Sequence, residues 1–254
     1  MTCVRTEIRD RVALVTLDEP ERRNAISLAM SEALVEAFVG IEDSGDVGAV
    51  VITGTPPAFS AGADLSDLEA ADRERLRRIY HGFLAVARCP WPTIAAVNGA
   101  AVGAGFNLAL ACDVRIAARS ARFDSRFLDL GLHPGGGHTW MLRRLLGPQG
   151  AAAVVLLGEA LDGEEAARRG LAWRVVDDGE VVEAALRLAA RAAAAPPGMV
   201  RRLKDTLRRV EAIDEHEAAV ELELEPQLWT TTQPEFRERL AGLKARIARS
   251  QRTP

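Results

Sequence analysis

The sequence predicts an α/β fold, from three observations. Short β-branched runs alternate with amphipathic helical patterns through the first part of the chain. The runs at 49–53 and 93–97 are apolar almost without interruption, which is typical of parallel strands buried on both faces. After residue 138 the pattern is almost entirely helical, and alanine is abundant there, which favours helix. We therefore predict an α/β part over residues 1–190 and a helical part over residues 191–254.

The N-terminal elements follow from local signals. Val4 to Ile8 and Val12 to Leu17 are predicted to be two short strands on either side of the polar residues 9–11, which indicates a hairpin. Ser27 is a good N-cap for a helix that ends near Asp43. The following apolar runs predict strands at 49–53, 93–97 and 113–117, with helices at 72–87 and 103–112. Further helices are predicted at 138–146, 149–157, 163–169, 180–194, 197–210 and 213–229, with a last short strand within 171–176.

Composition narrows the classes of function. The 254 residues are 48% apolar and 27% charged, with a net charge of −4, which does not favour nucleic-acid binding. No apolar run reaches membrane-spanning length, and the N-terminus lacks a secretory pattern, so we expect a cytoplasmic protein without membrane contact. The 3 cysteines lack metal-ligand spacing, so we expect neither a metal site nor a disulfide framework.

Two glycine-rich segments, residues 58–65 and 97–109, each join a predicted strand to a helical pattern. A helix that begins near Gly103 leaves its first N–H groups without intrahelical partners, and Ala63 offers another N–H from the first segment. Two N–H groups aimed at one point make an oxyanion hole, in which one donor is typically worth roughly 3 kcal/mol. The alternative is that both segments are plain strand-to-helix turns.

Several motifs occur in a fixed order around these segments. Phe59-Ser60-Ala61-Gly62-Ala63-Asp64-Leu65 precedes Ala96-Val97-Asn98-Gly99-Ala100-Ala101-Val102-Gly103-Ala104-Gly105. The others are Pro20-Glu21-Arg22-Arg23-Asn24-Ala25-Ile26, Cys112-Asp113-Val114-Arg115-Ile116-Ala117, Gly131-Leu132-His133-Pro134-Gly135-Gly136-Gly137 and Leu161-Asp162-Gly163-Glu164-Glu165-Ala166. Over roughly residues 5–250 the chain resembles the enoyl-CoA hydratase/isomerase, or crotonase, family.

The resemblance implies a spiral of ββα turns with a helical C-terminal trimerisation region, assembled as a homotrimer or hexamer. It implies an acyl-CoA ligand and no other cofactor. The thioester oxygen then lies between the backbone N–H groups of Ala63 and Ala104, with the acyl-CoA site in residues 1–190 and residues 191–254 covering it.

The resemblance also implies where coenzyme A binds. Arg22, Arg23, Ala61, Asp64 and Leu65 border its path, together with Ala63 and Ala104. Guanidinium groups bind phosphate well, which makes the two arginines candidates for the nucleotide phosphates. Their alternative role is that of solvated loop charges.

Two positions depart from the family's hydratase pattern. Hydratases of this family use two glutamates as general acid and base around a water. By position, Asn107 and Phe127 stand where those glutamates are expected. Asparagine does not exchange protons near neutral pH and phenylalanine has no proton to exchange, whereas general acid–base catalysis contributes about 10²–10⁴-fold in rate.

Three side chains are candidates for replacing the missing groups. Asp129 follows Phe127 closely, and His133 and His138 flank the glycine-rich turn. Histidine is the side chain best matched to proton transfer at neutral pH. Each of the three also has a structural alternative: a hydrogen-bond acceptor for Asp129, a loop brace for His133 and a helix N-terminal residue for His138.

Two functions remain open from the sequence. One is a lyase or isomerase of fatty-acid or related acyl-CoA metabolism that stabilises a thioester enolate without ordinary two-glutamate hydration. The other is a non-catalytic acyl-CoA binding protein that has kept the ligand cradle and lost the proton-transfer groups.

Overall fold

The computed structural model describes residues 3–250, without the side chain of Ser250. Two compact units divide this chain, one ending at Ala194 and the other beginning at Ala195. The first unit mixes strands and helices, whereas the second is helical, so the α/β prediction and the helical C-terminal region are confirmed.

Ten strands lie in the described part of the first unit. They are β1 Val4–Arg9, β2 Val12–Leu17, β3 Ala49–Gly54, β4 Ala58–Ser60, β5 Thr93–Val97, β6 Ala100–Val102, β7 Val114–Ala118, β8 Arg122–Asp124, β9 Leu161–Asp162 and β10 Arg174–Val176. A six-stranded sheet has the order β1-β2-β3-β5-β7-β10, and a four-stranded sheet has the order β4-β6-β8-β9. All neighbours pair in parallel except β1 with β2 and β8 with β9.

The helices of the first unit are α1 Leu28–Asp43, α2 Leu65–Glu69, α3 Arg73–Arg88, α4 Ala104–Ala111, α5 His138–Leu156, α6 Gly163–Arg168 and α7 Val181–Ala193. Those of the second unit are α8 Pro197–Val210, α9 His216–Thr232 and α10 Pro234–Ser250. Short 3-10 turns occur at Pro20–Arg22 and Asp178–Glu180. None of the described helices is both long and apolar enough to cross a membrane.

Local sequence signals fix several boundaries. β1 and β2 form the predicted antiparallel hairpin, with Val4 opposite Leu17. Ser27 caps α1 by accepting a hydrogen bond from the Met30 N–H at 3.1 Å. The predicted strand at 93–97 coincides with β5.

The two helices predicted at 138–146 and 149–157 are present as the two halves of α5, which are separated by a break at Gly147, where φ is 68° and Pro148 follows. Other details differ from the prediction. α9 begins at His216 instead of residue 213. The sequence did not predict the short strands β4, β6 and β8 as separate elements, because three residues are too few for a periodic signal.

A repeated unit positions the candidate site. β3, β5 and β7 belong to the larger sheet, and each is followed within a few residues by a short strand of the smaller sheet, β4, β6 and β8 respectively. Helices α2, α4 and α5 come next in the chain. Because β4, β6 and β8 are parallel and adjacent, their carboxyl ends meet along one edge. Carboxyl ends of parallel strands are where ligands bind in open α/β sheets.

Small residues allow the two glycine-rich segments to approach each other closely. Gly62 has a φ of +107°, and a Cβ there would lie 2.9 Å from the carbonyl oxygen of Val102. A Cβ on Gly105 would lie 2.5 Å from Oγ of Ser60. Side chains at either position would push the segments apart, so glycine is required at both.

A buried arginine holds the far end of α4. Arg115 is 6% exposed, and its guanidinium donates to the carbonyl oxygens of Leu171 at 2.7 Å and Cys112 at 2.7 Å. Carbonyls at a helix C-terminus have no intrahelical donor, so a cation stabilises this end. The contact anchors α4, whose other end borders the candidate site.

The second unit has its own aromatic contact. A Cβ on Gly198 would lie 2.7 Å from the ring of Trp229, so α8 and α9 pack closely there. The guanidinium of Arg202 lies 3.5 Å from the centre of the same ring, a cation–π arrangement.

Candidate active site

A pocket of about 380 Å³ opens where β4, β6 and β8 end. Most of its lining is apolar, which is typical of small-molecule sites. The glycine-rich segments and α4 contribute the lining residues Ala61, Gly62, Ala63, Leu65, Val102, Gly103, Ala104 and Asn107. From the segment after β8 it takes Ser125, Arg126, Phe127, Leu130, Leu132, His133 and Gly135, and from the helical stretch 68–80 it takes Leu68, Ala71, Leu76, Ile79 and Tyr80.

The backbone around Ala63 is fixed by the loop that precedes α1. The Ala61 N–H donates to the Arg23 carbonyl at 2.9 Å, and the Asp64 N–H donates to the Ile26 carbonyl at 3.1 Å. The N–H of Ala63 lies between these two and donates to no acceptor among the described residues. Its neighbours are therefore held in place while its own donor stays available.

Ala104 is the first residue of α4, and Gly103 is its N-cap with a φ of 48°. The Gly103 N–H donates to the Asp124 carbonyl at 2.9 Å, which ties the start of α4 to the end of β8. No described residue accepts from the Ala104 N–H, as expected at a helix N-terminus. Ala63 and Ala104 thus each carry an unused backbone donor and line the same pocket.

The two arginines of the 20–26 loop differ in their surroundings. Arg22 forms an ion pair with Asp64. Asp64 also caps α2 by accepting from the Ser66 N–H at 3.0 Å. The Ser66 hydroxyl, followed by the capping N–H groups and Arg22, lowers the pKa of Asp64. Arg23 is exposed, and its side chain has no ionic or hydrogen-bonded partner within residues 3–250.

His138, the first residue of α5, is 1% exposed and connects two pocket residues. Its Nδ1 lies 2.7 Å from Oδ1 of Asn107, and its Nε2 lies 2.9 Å from Oγ of Ser125. Burial lowers the pKa of His138 from 6.5 to about 4, so the imidazole is neutral near pH 7.

The hydrogen-bond partners assign the tautomer of this imidazole. Nδ2 of Asn107 donates to the Gly135 carbonyl at 3.0 Å, which leaves Oδ1 to face His138. Because Oδ1 only accepts, Nδ1 of His138 carries the proton and Nε2 is an acceptor. The Ser125 hydroxyl therefore donates to Nε2. The result is a directional chain from Ser125 through His138 to Asn107.

Aromatic rings enclose His138. The ring of Phe127 meets the imidazole at 5.0 Å between centres with a tilt of 65°, and that of Phe106 at 5.3 Å with a tilt of 80°. Both are edge-to-face contacts, the favoured arrangement of aromatic pairs. They supply the apolar surroundings that disfavour the imidazolium.

The remaining two acid–base candidates are placed differently. Asp129 does not line the pocket; its carboxylate is 71% exposed and pairs with Arg126 at 3.6 Å. His133 does line the pocket and is exposed, with Nδ1 2.8 Å from the Pro134 carbonyl. That carbonyl only accepts, so Nδ1 of His133 is a donor.

Ser125 and Tyr80 are polar pocket residues that the sequence reasoning missed. No local signal in the sequence distinguishes Ser125, because β8, the strand that precedes it, is only three residues long. The hydroxyl of Tyr80 has no hydrogen-bond partner among the described residues, and burial raises the pKa of Tyr80.

Within residues 3–250, no three His, Cys, Asp or Glu side chains come together as a metal-binding group. Cys89 and Cys112 are buried in the core, and Cys3 is partly buried.

Comparisons with known proteins identify the family to which the chain belongs. Residues 7–248 match the enoyl-CoA hydratase/isomerase family. The probable enoyl-CoA hydratase EchA14 of Mycobacterium tuberculosis is 53% identical over 244 residues, covering 92% of this chain and 94% of that protein. The 1,2-epoxyphenylacetyl-CoA isomerase of Escherichia coli is 33% identical over 254 residues, covering 97% of both chains.

A solved structure of a relative supports the same family assignment. A Thermobifida fusca protein crystallised in complex with acetoacetyl-CoA is 33% identical, with a TM-score of 0.83, covering 91% of this chain and 95% of that one. The chain therefore belongs to the enoyl-CoA hydratase/isomerase family.

Proposed function

We propose that this protein is an acyl-CoA enzyme that polarises a thioester carbonyl between the N–H groups of Ala63 and Ala104. Negative charge on that oxygen, as in an enolate, is stabilised by donors that are already oriented. The observation that carries the proposal is that both N–H groups lack an acceptor among the described residues and line one pocket. The acetoacetyl-CoA bound by the Thermobifida fusca relative supports the ligand class.

We propose further that Asn107 and Phe127 occupy the two positions at which hydratases of the family hold glutamates. Support comes from the pocket itself, in which none of the described lining residues is Asp or Glu. Both positions instead contact His138. Without a carboxylate to activate water, crotonyl-CoA hydration is slow in this protein compared with a two-glutamate relative, and other enolate chemistry, as in a lyase or isomerase, is favoured.

The test uses a substitution that removes one backbone donor. Proline is tolerated at the first position of a helix, so Ala104→Pro deletes the N–H while α4 remains. Calorimetry with hexanoyl-CoA is expected to show binding to the wild type and to the matched control Ala104→Ser, which keeps the N–H. Ala104→Pro is expected to lose about tenfold or more in affinity or turnover. Equal behaviour of all three proteins contradicts the oxyanion role.

Coenzyme A is proposed to run past the 20–26 loop, with Arg23 and Arg22 near its phosphates. Exposure of both guanidinium groups beside the pocket segment Ala61–Leu65 supports this path.

The assembly is proposed to be a homotrimer or hexamer. Apolar side chains exposed on the second unit support an oligomeric contact, among them Leu203, Leu207 and Leu228. Light scattering in solution distinguishes these assemblies from a monomer.

A further inference from the structure

Ser125 belongs to a side-chain array that the enolate chemistry does not use. Its hydroxyl donates to Nε2 of His138 at 2.9 Å, and Nδ1 of His138 is held by Oδ1 of Asn107 at 2.7 Å. A hydroxyl on a base that is itself oriented by a third group is the diagnostic arrangement of an activated nucleophile. Asn107 is the positioning residue in this array, because it fixes the tautomer that leaves Nε2 free to accept.

The pairing of β6 with β8 places Ser125 beside Gly103, the residue that precedes the candidate oxyanion donor Ala104. β6 and β8 are parallel with Val102 opposite Asp124, so the next residues, Gly103 and Ser125, lie alongside each other. The Ser125 carbonyl oxygen lies 3.8 Å from the position that a Gly103 Cβ would take. Ser125 and Ala104 line the same pocket. A candidate nucleophile and a candidate oxyanion donor therefore line one pocket, and the candidate base lies buried behind the nucleophile.

From this geometry we infer that Ser125 is a nucleophile that accepts the acyl group of a coenzyme A thioester, giving the protein a thioester hydrolase activity. The inference rests on the proposed binding of acyl-CoA.

The first step is acyl transfer. Oγ of Ser125 attacks the thioester carbonyl carbon while its proton passes to Nε2 of His138. The carbon–sulfur bond then breaks, and the coenzyme A thiolate takes the proton from His138 and leaves as the free thiol. The products are an ester on Ser125 and coenzyme A.

Water completes the cycle. One proton of a water molecule passes to His138 as its oxygen attacks the ester carbonyl. The carbon–oxygen bond to Ser125 breaks, Oγ recovers the proton from His138, and a carboxylic acid is released. The overall reaction consumes one water and one thioester, so atoms and charges balance without any further reactant.

The experiment follows the acyl group and the thiol separately. Purified protein is mixed with hexanoyl-CoA, which suits the apolar pocket, and quenched with acid at short times. Intact-mass spectrometry and peptide mapping are expected to find a hexanoyl group on Ser125, and a thiol reagent to detect released coenzyme A. Ser125→Ala is expected to lose the adduct and to slow thiol release at least about 100-fold. The matched control Ser44→Ala, on the exposed end of α1, is expected to behave like the wild type.

A second variant protects the test from a folding defect. Ser125→Cys keeps the shape of the side chain and supplies a stronger nucleophile, so it is expected to retain the hexanoyl group at the same position.

Two results overturn the inference and leave the proposed function intact. One is hexanoyl-CoA that binds in calorimetry without any adduct on the wild type or on Ser125→Cys. The other is thiol release that is undiminished in folded Ser125→Ala. Failure of hexanoyl-CoA to bind at all instead contradicts the proposed function, and the inference falls with it.

Discussion

Nδ1 of His138 lies 2.7 Å from Oδ1 of Asn107, and this contact determines which imidazole nitrogen carries the proton. Asn107 is fixed in turn by its own bond to the Gly135 carbonyl. The amide therefore orients a buried histidine without adding charge to the pocket.

Stability is expected to fall as the pH drops from about 6.5 to about 4. His138 takes up a proton near pH 6.5 when unfolded but near pH 4 when folded, so the unfolded chain binds more protons in this window. This difference between the two pKa values of His138 contributes about 3 kcal/mol to the free energy of unfolding. The contribution is fully present above pH 6.5 and is lost as the pH falls towards 4.

Urea unfolding of wild type and variants across this pH range measures the effect. His138→Gln is expected to show a much shallower pH dependence. His81→Gln, in which an exposed histidine is removed, serves as the control and is expected to keep the wild-type dependence. Parallel slopes for wild type and His138→Gln rule out the buried histidine as the cause.

Asn107→Leu is expected to destabilise the protein. The substitution keeps a similar volume but leaves the Nδ1–H of His138 and the carbonyl of Gly135 without their partner. The Nδ1–H of His138 is buried, and a buried polar group left unpaired costs about 1–3 kcal/mol. Urea unfolding measures the loss, with Thr139→Ala on the exposed side of α5 as the control. Stability equal to that of the control shows that water replaces the amide.

Gly135→Ala is expected to be coupled to Tyr80. An alanine Cβ would lie 2.2 Å from the Tyr80 hydroxyl oxygen, so the ring has to move and stability drops by about 1–3 kcal/mol. In a Tyr80→Phe background the hydroxyl is absent, and the cost of the same change is expected to be smaller. A double-mutant cycle in urea measures this coupling, and additive effects of the two changes disprove the contact.

Arg23→Ala is expected to weaken acyl-CoA binding more than Arg22→Ala. The Arg22 guanidinium is already paired with Asp64, whereas that of Arg23 has no partner within residues 3–250. Calorimetry at low and high salt tests this, because screening reduces a phosphate contact between exposed groups. Both variants are expected to unfold within about 0.5 kcal/mol of the wild type. A larger loss of affinity for Arg22→Ala reverses the assignment.

The elements that could be predicted from the sequence are those with local signals. The Ser27 cap and the apolar run of β5 depend on residues near each other in the chain. The α/β fold follows from the repetition of such segments.

The array at Ser125 could not be predicted in the same way. His138 is 13 residues from Ser125 and 31 from Asn107 along the chain. The three residues meet because β6 and β8 pair in parallel in the smaller sheet. His138 was one of three equal candidates in the sequence. Burial and the two hydrogen bonds distinguish it from Asp129, whose position on an exposed turn no local pattern revealed.

The unused donors at Ala63 and Ala104 are main-chain atoms. Any substitution except proline leaves these N–H groups in the chain, whereas the groups that touch His138 are side chains that single substitutions exchange. Mutation therefore rarely removes the backbone donors of the pocket, but it readily exchanges the side chains around His138. New chemistry on this scaffold therefore requires changes after β8 and along α4, while the turns that present the donors stay as they are.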